Sequence, residues 1–340
     1  MSADGAMSTR PTAFLGPFGS VTEPFSLVNR HGATIRGALS RLGSDKRGGR
    51  CGDAPVAVVV AGLGRTRRWT LLPGLQLLAN GFTVVRFDLT NSVGLSDGDI
   101  LDFTLTRACE DLCDVAHWAR ERYGTDRITG LAASVTGRAA LRAAALDPGL
   151  FRLVGTLCGV VDARATLTAI LQGTDLVGQL HAGTLRDLQG VGTLFGHEIR
   201  LRGVESLVSD DWAGIHSTVR DLRTARHTRF LDFHGKRDPW IRTADVRAVF
   251  RSVPHAQTFV IDEAGHELNR RQTRFALSQL IQEHWATTDL REAGSRKPGG
   301  DSPSVPPVPT VEELSAQRRT EEALDQWWRA QRPVPVPPFV

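Results

Sequence analysis

The segment ITGLAASVTGRAALRAAAL, residues Ile128–Leu146, changes from a strand pattern to a helix pattern at a single serine. Ile128–Ala132 is short and apolar, as in a buried strand, and the alanine-rich run after Ser134 is typical of a helix. A strand that turns directly into a helix is the setting in which a serine hydroxyl is lifted above the edge of a sheet as a nucleophile. A serine at this position also fits an N-cap role, in which its oxygen satisfies the first turn of the helix. By itself the segment leaves both roles open.

The alternation of strand and helix continues on both sides of this segment. Val56–Ala61 (VAVVVA) is a β-branched run, typical of a strand buried on both faces. Further strand patterns, with helix patterns between most of them, lie at Phe82–Phe87, Phe151–Cys158, Phe230–Phe233 and Thr258–Ile261. This order predicts an α/β fold with a mostly parallel central sheet flanked by helices. Ser26–Asn29 and Ala33–Leu39 fit an antiparallel hairpin at one edge of that sheet.

Composition shifts divide the chain into three parts. We expect a flexible N-terminus over residues 1–22, an α/β domain over 23–288, and a Pro-rich linker with a short helical tail over 289–340. Within the domain, residues 160–227 contain helical fragments and no convincing strand pattern. Such an insertion in an α/β enzyme usually lies over the sheet as a lid. The charged stretch Glu312–Arg329 predicts a helix, expected to be poorly ordered or to pack on the outside of the domain.

Charge and composition exclude several classes of protein. The formal net charge is only +4, and the basic residues are scattered among acids without interleaved aromatics, which argues against nucleic-acid binding. The chain has no apolar run of about 18 residues, so no membrane span is expected. The first ten residues, MSADGAMSTR, lack the apolar core of a signal peptide, and four cysteines are too few for a disulfide scaffold. These features predict a cytoplasmic protein with free thiols.

The sequence predicts no cofactor and no metal. Gly62 and Gly64 follow a strand, as in a dinucleotide-binding fingerprint, but Arg67 stands where that fingerprint needs its third glycine. Cys109 and Cys113 lie four residues apart within a helix pattern, which is not the paired spacing of a zinc site.

A second serine competes with Ser134. Ser96 lies in GLSDG (Gly94–Gly98), which matches the G-x-S-x-G pattern of hydrolase nucleophiles without a mismatch. A polar loop separates Ser96 from the preceding strand, and another loop follows it, so its glycines are better interpreted as turn residues. Ser134 has the strand and the helix that this geometry requires, although Ala132 and Thr136 replace the two glycines. Backbone context therefore favours Ser134 over the better letter match.

A serine hydroxyl becomes a nucleophile when a histidine takes its proton and a carboxylate fixes the tautomer of that histidine. Asp238 follows the Phe230–Phe233 strand, and His266 follows the last strand, so both lie at the edge where Ser134 is expected. The order Ser, Asp, His is that of hydrolases with a strand–turn–helix nucleophile. Three other residues are weaker candidates. His234 lies within a strand, and Asp262 and Glu263 lie too close to His266 in sequence.

The loop after the first buried strand, AGLGRTRR, has two expected roles. An oxyanion hole needs a second N–H besides that of Val135, and Leu63 or Gly64 is the natural donor. The arginines of this loop would attract an acidic carrier protein or its phosphopantetheine, or would form an ordinary solvated loop: Arg65, Arg67 and Arg68.

Three stretches resemble the acyltransferase family of bacterial luminescence, thioesterases that release a fatty acyl chain from acyl carrier protein. They are RFDLTNSVGLSDGDILDFTL (Arg86–Leu105), GLAASVTGRAA (Gly130–Ala140) and RDPWIRTADV (Arg237–Val246). The likeness covers residues 20–288 and implies the α/β-hydrolase fold. It places the family's nucleophile on Ser134, its acid on Asp238 and its base on His266. The chain departs from the family at Thr136, where the family has serine, and in a longer loop after Gly62.

Residues and resemblance together imply a serine thioesterase or acyltransferase. It would take an acyl group from a carrier-protein or CoA-like thioester and release it to water or a small acceptor, in fatty-acid or polyketide-derived metabolism. Acyl carrier protein is the expected partner. Apolar residues of the insertion enclose the acyl chain or form ordinary core: Leu167, Ile170, Leu171, Leu176 and Leu180. A carboxylesterase or lipase of small esters and a non-catalytic binding protein with a hydrolase fold are the alternatives.

Overall fold

The computed structural model describes residues 13–43, 54–185, 187, 190–292 and 308–331. Within these residues, nine strands form one sheet in the order β1-β2-β3-β5-β4-β6-β7-β10-β11, and β8 and β9 form a separate hairpin. The strands are β1 Phe14–Leu15, β2 Ser20–Val28, β3 Thr34–Leu42, β4 Val56–Val60, β5 Thr83–Asp88, β6 Ile128–Ala133, β7 Leu153–Leu157, β8 Val191–Leu194, β9 His197–Arg200, β10 Arg229–Gly235 and β11 Ala256–Ile261. From β5 to β11 all neighbouring strands are parallel, and β1, β2 and β3 are antiparallel. The predicted mostly parallel sheet with an antiparallel edge is confirmed.

Helices cover both faces of this sheet. They are α1 Leu71–Ala79, α2 Leu105–Tyr123, α3 Val135–Leu146, α4 Ala163–Ile170, α5 Leu176–His181, α6 Arg202–Ser209, α7 Ile215–Thr224, α8 Thr243–Arg251, α9 Arg270–Glu292 and α10 Val311–Gln331. The alternation along β4 explains the two layers, because successive side chains of a strand point to opposite faces. Val56, Val58 and Val60 join the core under α2, α3 and α8, whereas Ala57 and Val59 join the core under α1 and α9.

The register of the sheet brings the carboxyl ends of three strands to one level. Ala133 at the end of β6 pairs with Leu157 at the end of β7, and Leu157 in turn pairs with Phe233 of β10. The residues that follow these strands therefore share one edge. This is the edge of an open parallel sheet at which ligands bind.

The sheet begins earlier than the sequence predicts. β1 and the first residues of β2 fall within the segment expected to be flexible, of which residues 1–12 lie outside the described residues. Ser20 and Thr22 are polar, so this part of the sequence shows no strand pattern, yet both side chains are buried. Thr22 Oγ1 lies 2.9 Å from Ser40 Oγ on β3, so the hydroxyls satisfy each other across the two strands.

The insertion between β7 and β10 spans the predicted residues 160–227, but only part of it covers the edge of the sheet. Its covering part consists of α4, α5, the β8–β9 hairpin and α6, whereas α7 packs against α3 and α8 in the layer beside the sheet. The hairpin is a strand pair that the sequence does not predict. Its strands are four residues long and carry no clear alternation, so the period-two signal is too short to recognise.

The C-terminal helix α10 packs against α1 and the antiparallel edge of the sheet. Leu324 and Trp328 form a small core with Ala38 and Leu95. The Pro-rich stretch 293–307 and residues 332–340 lie outside the described residues. No helix in the described part of the chain has the length and apolar character needed to cross a bilayer. Cys109, Cys113 and Cys158 are buried free thiols, as predicted, and Cys51 lies outside the described residues.

The buried imidazole ring of His284 on α9 makes the stability of the fold depend on pH in the acid range. The side chain is fully buried, its Nδ1 lies 2.9 Å from Thr129 Oγ1, and burial, assisted by the charges of Arg152 and Arg127, lowers the pKa of His284 to about 4 from the ordinary 6.5. The folded state thus resists protonation of a ring that the unfolded chain protonates readily. The stability due to the neutral ring is present above pH 6.5 and is lost as the pH falls towards 4.

We therefore expect the free energy of unfolding to fall more steeply with acid in the wild type than in His284→Gln. The difference between the two proteins should change by about 3 kcal/mol between pH 6.5 and pH 4, since one pKa unit corresponds to about 1.4 kcal/mol. Urea unfolding at a series of pH values measures this. Parallel curves for the two proteins would show that the ring does not titrate as described.

Candidate active site

Ser134 occupies a strained turn between β6 and α3. Its backbone angles are φ 56° and ψ −127°, a region that residues other than glycine rarely adopt. Three hydrogen bonds hold the strained backbone. Ser134 N donates to Leu157 O (2.9 Å), and Ser134 O accepts from Gly137 N (3.0 Å) and Val160 N (3.1 Å). Strain of about 1–3 kcal/mol that is maintained in this way is a feature of functional sites.

The turn tolerates Ala132 and Thr136 because the close approach falls one residue later. A Cβ atom on Gly137 would lie 3.0 Å from Gly159 Cα, so this glycine allows α3 to approach the loop after β7. The buried Thr136 instead stabilises the turn, with its Oγ1 at 2.7 Å from Ala133 O and 3.1 Å from Ala61 O. Gly137 thus relieves the crowding of the turn.

The three residues predicted as catalytic lie in one hydrogen-bonded chain. His266 Nε2 lies 2.8 Å from Ser134 Oγ, and His266 Nδ1 lies 2.7 Å from Asp238 Oδ2. The Asp238 side chain is fully buried, and the His266 side chain is 12% exposed. A carboxylate at Nδ1 keeps the proton on that nitrogen, so Nε2 is free to accept the proton of the serine hydroxyl. This is the arrangement that nucleophilic acyl transfer requires.

The environment of Asp238 keeps it ionised. Burial raises the pKa of its carboxyl, but the hydrogen bond and charge of His266 and two backbone N–H groups outweigh burial, so the pKa lies below its ordinary value. The N–H groups belong to Trp240 and Ile241, which donate to Asp238 Oδ1 at 3.0 and 3.1 Å. Both carboxylate oxygens therefore have fixed partners.

Trp240 is a site residue that the sequence analysis did not identify. Its ring contacts the His266 ring edge-on, with centroids 4.8 Å apart, and Phe195 of the β8–β9 turn contacts Trp240 at 5.0 Å. The insertion thus reaches the histidine through two aromatic rings. The sequence signal that could have identified Trp240 is its position two residues after the candidate acid Asp238.

The two predicted oxyanion donors flank Ser134. Among the residues that the structure describes, neither the Val135 N–H nor the Leu63 N–H donates a hydrogen bond to another protein group, and both residues line the same cavity as Ser134. Gly64, the alternative donor, has a φ of +69° and lies against the ring of His197 from β9. A Cβ atom on Gly62 would lie 3.3 Å from Ser134 Cβ, so this loop passes directly over the serine. The choice of Leu63 stays a prediction.

The prediction that Arg67 contacts a carrier is wrong. Its side chain is 1% exposed and lies between Asp88, Glu321 and Asp325. The sequence shows an arginine-rich loop but not the acids that fold onto it from far along the chain. Arg65 and Arg68 do reach the surface. Arg65 pairs with Glu267 at 2.7 Å and stacks over Trp69, and Arg68 pairs with Glu322 at 3.2 Å.

The competing candidates have structural roles. Ser96 is buried, donates to Asp88 O and accepts from Arg36 N at 2.9 Å, so its hydroxyl ties the GLSDG loop to β3 and β5. His234 is fully buried and bonds Ile241 O at 3.2 Å. Asp262 and Glu263 form exposed ion pairs with Lys236 and Arg237. The GLSDG segment around Ser96 is therefore a turn, as its sequence context predicts.

Cys158, His234 and Asp238 bring potential ligand atoms within 4.8 Å of one another. These groups do not fit a metal ion, because both Asp238 oxygens are already hydrogen-bonded and His234 bonds a backbone carbonyl. Burial also raises the pKa of the Cys158 thiol, which disfavours a thiolate ligand.

Ser134 and His266 open onto a cavity of about 1190 Å³ beneath the insertion. Four of the five apolar residues predicted in the insertion line it, and Leu180 does not. The lining ones are half-buried and face the cavity instead of the core, which favours the first of the two predicted roles: Leu167, Ile170, Leu171 and Leu176. The hairpin and α6 add Leu194, Ile199, Val204 and Leu207. The cavity is thus largely apolar and adjacent to the serine.

Sequence comparison finds similarity to acyl transferases. The family model described as acyl transferase matches residues 51–271. The acyl transferase of Vibrio campbellii is 30% identical over 216 residues, which are 62% of this chain and 68% of that protein. That of Vibrio harveyi is 31% identical over 209 residues, or 60% and 66% of the two chains.

Solved structures share the fold at lower identity. Est1E from Butyrivibrio proteoclasticus with bound ferulic acid has a TM-score of 0.62 at 15% identity, covering 77% of this chain and 99% of its own. DcsB in complex with its substrate analogue has a TM-score of 0.57 at 18% identity, with the same coverage of 77% and 99%. The likeness to these structures and the sheet order described above establish the α/β-hydrolase fold.

Proposed function

Because the chain belongs to the acyl transferase family and has the α/β-hydrolase fold, we propose that it moves an acyl group from a thioester onto Ser134 and then to water or a small acceptor. The observation that carries the proposal is the hydrogen-bonded chain Ser134–His266–Asp238 beside a largely apolar cavity. The hydroxyl supplies the nucleophile, the imidazole the base, and the cavity a binding site for an acyl chain.

The first half-reaction forms an ester on the enzyme. Ser134 Oγ attacks the carbonyl carbon of the thioester while its proton passes to His266 Nε2. The carbonyl oxygen becomes an oxyanion that accepts hydrogen bonds from the N–H groups of Val135 and Leu63, each worth roughly 3–4 kcal/mol in comparable sites. The C–S bond then breaks, and the proton on His266 passes to the departing sulfur. The imidazolium that forms in between is stabilised by the Asp238 carboxylate.

The second half-reaction releases the acyl group. A water molecule or an acceptor hydroxyl gives its proton to His266 Nε2 and attacks the ester carbon. When the tetrahedral intermediate collapses, the C–O bond to Ser134 breaks and the proton returns to Ser134 Oγ. The products are a free acid or a new ester, and the enzyme regains its starting state.

The cavity supports an extended apolar acyl group as the substrate. Burial of one methylene contributes about 0.8 kcal/mol, which corresponds to about a fourfold change in affinity. A carrier protein or CoA-like thioester is the donor that the family resemblance favours, and Arg65 and Arg68 are the loop arginines left to meet it at the surface. Both arginines also form ion pairs with acidic residues of this protein at the surface. Their role in carrier binding is therefore part of the proposal.

We expect kcat/KM for acyl-pantetheine thioesters to rise by about fourfold per methylene until the cavity is filled. A thioester should be turned over faster than an alkyl ester of the same acid, because a thiol leaves with less help from an acid. Steady-state rates over a series of chain lengths, measured for both leaving groups, test this. A preference for acetyl esters with no dependence on chain length would favour the carboxylesterase alternative.

A matched pair of variants on α5 links the chain-length profile to the cavity. Leu176 lines the cavity, and Leu180, one turn later, does not. Leu176→Trp should move the optimum to shorter chains, whereas Leu180→Trp should leave it in place. Equal shifts in both variants would mean that the acyl chain does not bind along α4 and α5.

A further inference from the structure

We propose that Glu321 and Asp325 of α10 are positioning residues for the oxyanion-hole loop. They hold the buried Arg67 and, through it, the backbone of residues 62–68, which carries Leu63. The inference rests on the proposed function, since it assigns a role in stabilising the oxyanion of an acyl-transfer step. It makes the C-terminal helix part of the machinery instead of an external tail.

In the part of the chain that the structure describes, the two buried arginines each have a carboxylate partner only with α10 present. Arg67 and Arg86 are 1% and 2% exposed, and the described residues offer them three carboxylates. Asp88 supplies one of these, and Glu321 and Asp325 supply the other two. Within the described part of the chain, Glu321 is the single acid paired with Arg86. A buried guanidinium that loses its anion is strongly destabilised and is driven towards water.

The geometry connects these ion pairs to the loop over Ser134. Arg67 Nη2 donates to Asp325 Oδ1, its Nε lies 3.4 Å from Glu321 Oε2, and its backbone N donates to Asp88 Oδ1 at 2.6 Å. The backbone of Arg67 is therefore fixed from the side chain and from the main chain. Leu63 lies four residues earlier in the same loop, and the intervening turn is closed by Arg65 N donating to Gly62 O at 3.2 Å. A movement of Arg67 would be transmitted to the Leu63 N–H.

Two further observations favour a functional contact over simple packing. Leu314, Arg318 and Glu322 of α10 line the same cavity as Ser134, so the helix borders both the loop and the substrate space. Glu321 is fully buried, and although burial raises its pKa, the charges of Arg86 and Arg67 hold the pKa below the ordinary value. The acid therefore stays ionised beside the loop. Residues 311–331 lie outside the 51–271 region that matches the family model.

The test compares Asp325→Asn with Glu312→Gln in the full chain. Glu312 lies in the first turn of α10, is exposed and has no role in the network. Asp325→Asn should lower kcat for an acyl thioester by about 10- to 100-fold, a fraction of the loss expected for a missing oxyanion donor, with KM within about twofold of the wild type. Asp325→Glu, which keeps the carboxylate, should recover most of the loss, and Glu312→Gln should match the wild type. Thermal unfolding of each variant sets an assay temperature at which all are folded.

The outcomes separate the inference from the function on which it rests. If a fluorophosphonate does not label Ser134 in the wild type, the proposed function fails. Suppose that the wild type is labelled and that Asp325→Asn folds. If this variant then keeps its kcat, or if only its KM changes, the positioning role is overturned. Should Asp325→Asn not fold, the nearly isosteric Glu321→Gln is measured in the same way and judged by the same division between kcat and KM.

Discussion

Ser134→Ala is expected to lower kcat for an acyl thioester by at least about 10⁴-fold. The Oγ atom is the only group at the strained turn that lies within hydrogen-bonding distance of His266 Nε2 in the described structure. Without it, the base has no nucleophile to activate, and the residual rate comes from water attacking a bound thioester. KM should change little, because the proposed binding site for the acyl chain is lined by residues of the insertion. Release of free thiol, followed with a chromogenic reagent, measures the effect.

Ser96→Ala is the matched control for this substitution. Its hydroxyl bonds Asp88 O and Arg36 N away from His266, so kcat per folded molecule should stay close to that of the wild type. The loss of a buried hydrogen bond should instead lower the free energy of unfolding by about 1 kcal/mol. If Ser96→Ala abolished turnover and Ser134→Ala did not, the assignment of the nucleophile would be reversed.

Asp238→Asn should lower kcat by about 10⁴-fold although it changes almost no volume. Trp240 N and Ile241 N both donate to Oδ1, so the carbonyl oxygen of an asparagine must take that position. Its NH₂ group then faces His266 Nδ1 and donates to it, which places the ring proton on Nε2. An Nε2–H pointing at Ser134 Oγ cannot accept the serine proton. In Asp238→Asn, kcat/KM should rise with pH as a base other than His266 loses its proton.

Asp262→Asn is the corresponding control, because Asp262 lies on the loop of His266 but pairs only with Lys236 at the surface. Its kcat should be unchanged. A loss of less than about tenfold in Asp238→Asn, or an equal loss in Asp262→Asn, would contradict the proposed role of Asp238 in holding the tautomer.

Much of the fold could be predicted from local sequence. The β-branched run at Val56 and the sharp strand-to-helix change at Ser134 fix the central strands, because both signals lie within a few residues. The hairpin Val191–Arg200 could not be recognised, since four residues in each strand are too few for a period-two pattern to stand out. The start of β2 carries no strand signal, because Ser20 and Thr22 are polar residues whose side chains are buried, and Thr22 Oγ1 bonds Ser40 Oγ on β3.

The candidate site was predictable where backbone context limits the choice. The positions of Ser134, Asp238 and His266 follow from three strand ends, and the structure brings these residues within hydrogen-bonding distance. Arg67 was misassigned for the opposite reason. Its partners Glu321 and Asp325 lie more than 250 positions later, and nothing local distinguishes a buried arginine from its exposed neighbours. Trp240 was missed because an aromatic residue after a loop aspartate is not a pattern by itself.

The most direct test of the account is intact-mass spectrometry of the wild type and Ser134→Ala after brief mixing with acyl-pantetheine thioesters of graded length. We expect a mass gain of one acyl group in the wild type, absent from Ser134→Ala, with the fullest labelling for chains long enough to fill the cavity. Thiol release at equal rates from both proteins, without an adduct on Ser134, would contradict it.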